Sequence, residues 1–161
     1  MDPTVFISLG ERLTKALITH DFELYQQVMD LPLTLEPRGD TSYTLTTADE
    51  LRTDFDLYCD HIRLHEITDI YREAKEVETL SDDLTVIVCE THILSGGSRV
   101  VPPFTGIMTM HRCADDVVRF SRIQSSPDIS TGPWAKAQST KVGSATARTG
   151  TIRKKPNGGS K

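Results

Sequence analysis

Histidines, cysteines and acidic residues decide first which chemistry this sequence could perform. In His61-Ile62-Arg63-Leu64-His65 two imidazoles stand four residues apart, the spacing that puts both on one side of a helix and suits a divalent metal. A metal needs further ligands, and no fixed spacing in the chain supplies a third or fourth. His65 also continues an apolar helical stripe, so a histidine satisfied near a helix end is the simpler reading. No metal and no other cofactor is expected. His92 and His111 could suggest a two-histidine dehydratase-like site, but the strand pairing derived below sets them about 20 Å apart. No glycine-rich phosphate loop opens a helix, because Gly96-Gly97 joins two strands. No serine or cysteine stands in a recognisable nucleophile setting. The candidates that remain are one carboxylate, Glu36, and one cation, Arg122, and both depend on where the fold puts them.

Composition narrows the partners. The 161 residues fit one domain with an appendage. Residues 1–126 carry 11 Lys+Arg against 22 Asp+Glu, whereas residues 127–161 carry seven Lys+Arg and only Asp128. An acidic body repels phosphate, so nucleic acid is not expected as the main partner. Three cysteines, Cys59, Cys89 and Cys113, show no paired spacing and read as reduced thiols. With no stretch near the roughly 20 apolar residues of a membrane span, the expected location is cytoplasmic. From Ser125 onward Gly, Ser, Thr, Lys and Pro dominate, and Trp134 and Ile152 are almost the only large apolar residues. Such a composition cannot offset ordering entropy, so residues 127–161 are expected to be a disordered basic tail.

The elements that must position Glu36 and Arg122 follow from periodicity. Asp2-Pro3 starts a helix whose apolar residues Phe6, Leu9, Leu13, Ala16 and Leu17 recur at helical spacing. Asp21 caps a second, short helix over Phe22–Met29. Leu31–Glu36 reads as a brief strand, placed at an edge because Pro32 cannot donate to a ladder. Thr47-Ala48-Asp49-Glu50 is a capping box that opens a third helix carrying Leu51, Phe55, Tyr58 and Ile62 on one stripe. After His65 the period changes to two. Four strands follow near Asp69–Leu80, Leu84–Leu94, Phe104–Cys113 and Val117–Gln124, separated by turn residues.

Hairpin pairing assigns these strands two faces. A Ser81–Asp83 turn sets Tyr71 opposite Ile93, Lys75 opposite Cys89 and Val77 opposite Ile87. The next hairpin sets Cys89 opposite Met108 and Ile87 opposite Met110. A tight turn after Cys113 sets Met110 opposite Phe120 and Met108 opposite Arg122. One face then holds Tyr71, Val77, Ile87, Cys89, Ile93, Phe104, Met108, Met110, Val118 and Phe120, and is overwhelmingly apolar. Arg72, Glu76, Glu90, His92 and His111 fall on the other. Arg122 is the exception on the apolar side. It is either a pocket cation that binds a carboxylate or enolate, or a residue at the sheet's end that snorkels to water or pairs with Glu36; a one-residue slip of the last turn would also move it outside. Cys89 is expected to be buried and inert.

A helix pair, a short strand ending in Glu36-Pro37, a third helix and four long strands resemble the nuclear transport factor 2-like superfamily, to which SnoaL-like cyclases and ketosteroid isomerases belong. The likeness spans residues 3–124, with Pro103–Arg112 its most familiar stretch, and rests on element order. It implies an α+β domain over residues 1–126, a curved antiparallel sheet wrapped around three N-terminal helices as in the cystatin-like cone. It also implies a homodimer through the outer sheet face. Glu36-Pro37 stands where ketosteroid isomerase-like members carry the Asp-Pro whose carboxylate shuttles a proton, so Glu36 is the candidate catalytic base. The pattern fails at the oxyanion donor, because Leu13 occupies the position expected for a tyrosine; Tyr25 or Tyr58 would have to substitute. Two functions follow. One is a non-catalytic module that binds a small apolar or weakly anionic ligand, or a protein partner, with Arg122, Tyr25, Tyr58, Cys89, Met108 and Phe120 around the pocket. The other is a SnoaL-like isomerase, cyclase or dehydratase acting on a small apolar carbonyl compound through Glu36, with Arg122 as electrostatic stabiliser.

Overall fold

The computed structural model describes residues 1–2, 4–37 and 40–125; the expected tail lies outside the described residues. Three helices precede most of the sheet: α1 (Thr4–Thr19), α2 (Phe22–Val28) and α3 (Ala48–Leu64). The seven strands are β1 (Met29–Glu36), β2 (Tyr43–Leu45), β3 (Asp69–Ser81), β4 (Leu84–Ser95), β5 (Ser98–Arg99), β6 (Phe104–Arg112) and β7 (Val118–Ser125). They run in the order β2-β1-β7-β6-β4-β3, with β5 added to the end of β4. This is the α+β arrangement expected, with one difference in pairing. β1 lies parallel to β7, so the sheet is mixed. β1 is also not an edge, because the three-residue β2 covers it; Pro32 is accommodated where the β1–β7 register shifts and where β2 does not reach.

Each helix is set by local chemistry. The Asp2 carboxylate accepts from the Thr4 N–H at the start of α1, and Asp21 accepts from Leu24 N–H at the start of α2. At α3 the Thr47 hydroxyl accepts from Glu50 N–H at 3.1 Å while Glu50 accepts from the N–H groups of Thr46 and Thr47, the reciprocal capping box. The buried stripe of α1 is Phe6, Leu9, Gly10, Leu13, Ala16 and Leu17, and that of α3 includes Leu51, Phe55, Cys59 and Ile62. Phe55 lies completely buried under the rings of Tyr25 and Phe22, with centroids 4.6 and 5.4 Å away. These stripes meet Ile87, Cys89, Ile93, Phe104, Met108, Met110 and Phe120 of the sheet in one core. Among the described residues no helix is long and apolar enough to cross a membrane.

Two bulges correct the strand register. On β3, Ala74 pairs with Cys89 and Glu76 with Val88, so Lys75 is left over. Upstream of it the faces exchange: Ile70, Arg72 and Ala74 share the inner side with Ile93, Thr91 and Cys89, and Tyr71 turns outward to stack on His92. On β7, Phe120 pairs with Met110 and Arg122 with Thr109, which leaves Ser121 over and sets Ile123, not Arg122, opposite Met108. A third difference leaves the faces unchanged. Gly96 and Gly97, with φ of +57° and +90°, let β4 turn directly into β5, and the longer connection places Phe104 opposite Thr91 instead of Ile93.

Thr47→Ala should destabilise the domain by about 1 kcal/mol in urea titrations near neutral pH, with Thr47→Ser close to wild type. The Thr46 backbone and hydroxyl, then the Thr47 N–H, hold the Glu50 carboxyl below its usual range. The folded-state value is depressed, so this contribution is present above the ordinary glutamate range and is lost as pH falls through the folded-state value. Thr47→Ala keeps the Thr46 groups and the Thr47 N–H, so it should retain this acid dependence, whereas Glu50→Gln should flatten it.

Candidate functional site

The inner face of the sheet and the helices above it line a half-open cavity of about 100 Å³. Helix α1 contributes Leu13 and Leu17, and α2 and α3 contribute Tyr25 and Tyr58. Leu35 comes from β1, Ile70 and Arg72 from β3, and Cys89, Thr91 and Ile93 from β4. Phe104, Gly106 and Met108 of β6 and Ile123, Gln124 and Ser125 of β7 complete the lining. Gly106 keeps part of this space open. A Cβ there would come within 3.7 Å of the Cys89 sulfur and 3.8 Å of the Thr91 hydroxyl.

Arg72 is the cation of this cavity. Its Nη1 donates to the Gly10 carbonyl at 3.2 Å and to the Thr14 hydroxyl at 3.0 Å, and that hydroxyl in turn donates to the Ile70 carbonyl at 2.6 Å. No carboxylate lies within ion-pair distance of it among the described residues. Burial lowers the basicity of the guanidinium, opposed by the nearby Cys89, Asp69 and Tyr25. Arg72 also borders a groove of about 300 Å³ between α1 and β3, but Glu11 and Asp69 line that side and make it hostile to anions. The apolar cavity is where its charge is unopposed.

The residues singled out from sequence fall into three groups. Tyr25, Tyr58, Cys89 and Met108 line the cavity. Phe120 is fully buried but packs edge-on against Phe6, with centroids 6.2 Å apart, and is absent from the lining. Arg122 and Glu36 are brought together, but away from the cavity. The bulge at Ser121 turns Arg122 outward with half its side chain exposed, where it forms an ion pair with Glu36. Glu36 also accepts from Gln124 at 3.2 Å, and its neighbour Leu35 takes the inward position on β1. The expected placement of Arg122 among Met108, Cys89 and Phe120 is thus replaced by the Glu36 pairing, because strand alternation resets across the bulge.

Sequence reasoning missed Arg72, Thr91, Gly106 and Ile123. A signal for Arg72 was present: Ile70 and Ala74 continue one parity on β3 and Val77 the other, and such a switch marks a bulge between them. His61 and His65 belong to no ligating group among the described residues, whereas Asp30, His111 and Cys113 converge, as do Glu73, Glu90 and His92. In the second group the imidazole contacts Glu90 at 3.2 Å and Arg99 approaches its other nitrogen at 3.4 Å.

Comparison with solved structures decides the fold. An uncharacterised nuclear transport factor 2-like protein of Shewanella oneidensis superposes with a TM-score of 0.60 at 16% identity, covering 78% of this chain and 99% of that one. A Shewanella frigidimarina protein provisionally described as a ketosteroid isomerase gives 0.58 at 10% identity, covering 74% and 92%. A cystatin-like domain of unknown function from Nostoc punctiforme gives 0.59 at 8%, covering 78% and 76%. The chain has the nuclear transport factor 2-like fold. No protein-family model and no curated protein matches its sequence. Within that fold the cavity occupies the hollow between the helices and the concave face of the sheet.

Burial pushes the Cys89 thiol up, although Arg72 beside it pulls the other way, and pushes Cys59 up to about 12. Raised values mean almost no thiolate at pH 8. Burial raises Cys113 too, but its partial exposure admits the reagent, so iodoacetamide at that pH should label Cys113 first and leave Cys59 and Cys89 unmodified until the protein is denatured, as read by peptide mass spectrometry.

Proposed function

We propose that this protein is a small-molecule-binding module whose cavity takes a compact apolar compound bearing one anionic group, with that group on Arg72. One observation carries the reading: a guanidinium without a carboxylate partner borders a largely apolar cavity. Taking a charge out of water costs several kcal/mol unless it is matched, and Arg72 has only the neutral oxygens of Gly10 and Thr14. Nη1 is engaged there, and a carboxylate or enolate would meet the donors that remain. Leu13, Leu17, Phe104 and Met108 would surround the apolar body. The volume is below the roughly 150 Å³ that holds benzene, so the ligand is no larger than one small ring, with its polar group toward the open side of the cavity.

A catalytic reading needs a group in the cavity that exchanges a proton near neutral pH. Burial, and next the Asp54 charge, raise Tyr25 well above its usual value, and burial raises Cys89. Both move away from neutrality. Glu36, the expected base, is held by Arg122 and Gln124 outside the lining. No observation favours an isomerase or cyclase over a binding module.

The test compares benzoate with its neutral analogue benzamide by isothermal titration and chemical-shift perturbation. Benzoate should bind at least tenfold more tightly, and Arg72→Met should remove that preference while benzamide binding changes little. Equal affinity for the two probes, or a preference that survives Arg72→Met, would overturn the reading.

A further inference from the structure

On the outer face of the sheet three side chains of different chemistry converge. Asp30 follows the buried Met29 on β1, His111 follows the buried Met110 on β6, and Cys113 lies just past the end of β6. The His111 Nδ1 lies 3.0 Å from Asp30 Oδ2 and 3.9 Å from Cys113 Sγ, and all three ligand atoms lie within 4.8 Å of one another.

We propose that Asp30, His111 and Cys113 form a zinc site. The geometry separates a metal site from the obvious alternative, a cysteine nucleophile with a histidine base. A nucleophile relay uses both ring nitrogens, one for the thiol and one for the orienting carboxylate. Here the carboxylate and the thiol face the same nitrogen, which is convergence on a point and not a relay. Ligand atoms on one tetrahedral zinc, at about 2.0 Å for nitrogen and oxygen and 2.3 Å for sulfur, sit roughly 3.3–3.7 Å apart. The observed 3.0 and 3.9 Å bracket that range and the third separation is at most 4.8 Å, so an ion enters with side-chain adjustments of about an ångström.

The surroundings prepare the ligands. The other oxygen of Asp30 accepts from the Leu31 N–H at 2.9 Å, which fixes the carboxylate's orientation. Arg119 reaches the Cys113 sulfur, while its own charge is matched by Asp115 through two bonds of 3.0 and 2.9 Å, which holds the guanidinium beside the site. An oxygen, a nitrogen and a sulfur ligand together suit a borderline-soft ion and not magnesium or calcium. Three protein ligands leave a fourth position for water. The group formed by Glu73, Glu90 and His92 is the weaker candidate, because the Lys75 ammonium already sits 3.3 Å from Glu73 and 3.9 Å from Glu90.

Cobalt(II) and zinc(II) added to the purified, metal-stripped full chain test the site. Cobalt should bind one equivalent and give a thiolate-to-cobalt charge-transfer band with tetrahedral d–d absorption. Zinc should displace it and slow alkylation of Cys113 at least tenfold. His111→Gln and Cys113→Ser should abolish the charge-transfer band, Asp30→Asn should weaken binding tenfold or more, and His92→Gln should change nothing. A cobalt spectrum without sulfur charge transfer, alkylation of Cys113 indifferent to zinc, or a site that persists in His111→Gln would overturn the assignment. Because the wild-type protection assay stands without any variant, a variant that fails to fold leaves the test intact.

Discussion

A guanidinium cannot sit inside a protein cone without donors being matched, and the matching of Arg72 ties the helical layer to the sheet. Its Nη1 reaches the Gly10 carbonyl and the Thr14 hydroxyl, one turn apart on α1. Thr14 passes the connection back to the Ile70 carbonyl on β3. Donor, shared hydroxyl and carbonyl form a continuous chain in a region of low dielectric, where each bond polarises the next. α1 is therefore held on β3 by specific polar contacts as well as by its apolar stripe. The apolar stripe alone would permit sliding, whereas this network sets the helix's height over the strand. The cavity beneath α1 inherits its shape from that height, because Leu13 and Leu17 of α1 lie in its wall.

What brings Arg72 to this position is the bulge at Lys75. Side chains alternate along a strand, so one extra residue exchanges inside for outside over everything upstream of it. Tyr71 would otherwise fill the cone. Instead it lies outside against His92, the rings parallel within 4° and 4.4 Å apart, where that stacking gives it a partner of its own. An aromatic ring inside would reduce the free volume, and its exchange for a slender guanidinium leaves room for a ligand. Gly106 acts in the same direction from the opposite strand.

Elements governed by local chemistry were legible from the residues themselves. Asp21 and Thr47 cap where their types and spacing required, and the stripe from Phe6 to Leu17 lies buried as its period demanded. The pairing of Met110 with Phe120 also follows from turn length and alternation. Non-local facts were not legible. The parallel contact between β1 and β7 joins segments about ninety residues apart, and β2 is too short to carry a pattern. Each bulge costs one residue of register; the parity switch between Ala74 and Val77 hints at the one at Lys75, but no comparable signal marks the one at Ser121. This is why Arg72 and Arg122 exchanged roles: pattern counting gave each arginine the face that the bulges then reversed. Asp30, His111 and Cys113 were hidden for the same reason, since 81 residues separate the first two.

The two arginines also show how exposure, more than charge, decides which cation is available. Arg122 has half its side chain in water and an acidic partner in Glu36, so its charge is answered twice, by solvent and by a carboxylate. Such a pair contributes little to stability, typically under 1 kcal/mol after screening, and leaves little field for anything else. Arg72 has the opposite balance. Its hydrogen-bond partners are neutral oxygens and most of the cavity wall beside it is apolar, so toward the cavity its charge is screened less than that of Arg122. An anionic group entering the cavity would exchange water for a cation that has no carboxylate partner, a pairing that gains when its hydrogen-bond geometry is good. The proposed outer site is the complementary case: Asp30, His111 and Cys113 present an oxygen, a nitrogen and a sulfur to one point on the far side of the sheet, a donor set that a cation would match. Strand alternation thus keeps Arg72 and the Asp30–His111–Cys113 cluster on opposite faces of the sheet, so that the two proposed sites do not neutralise each other.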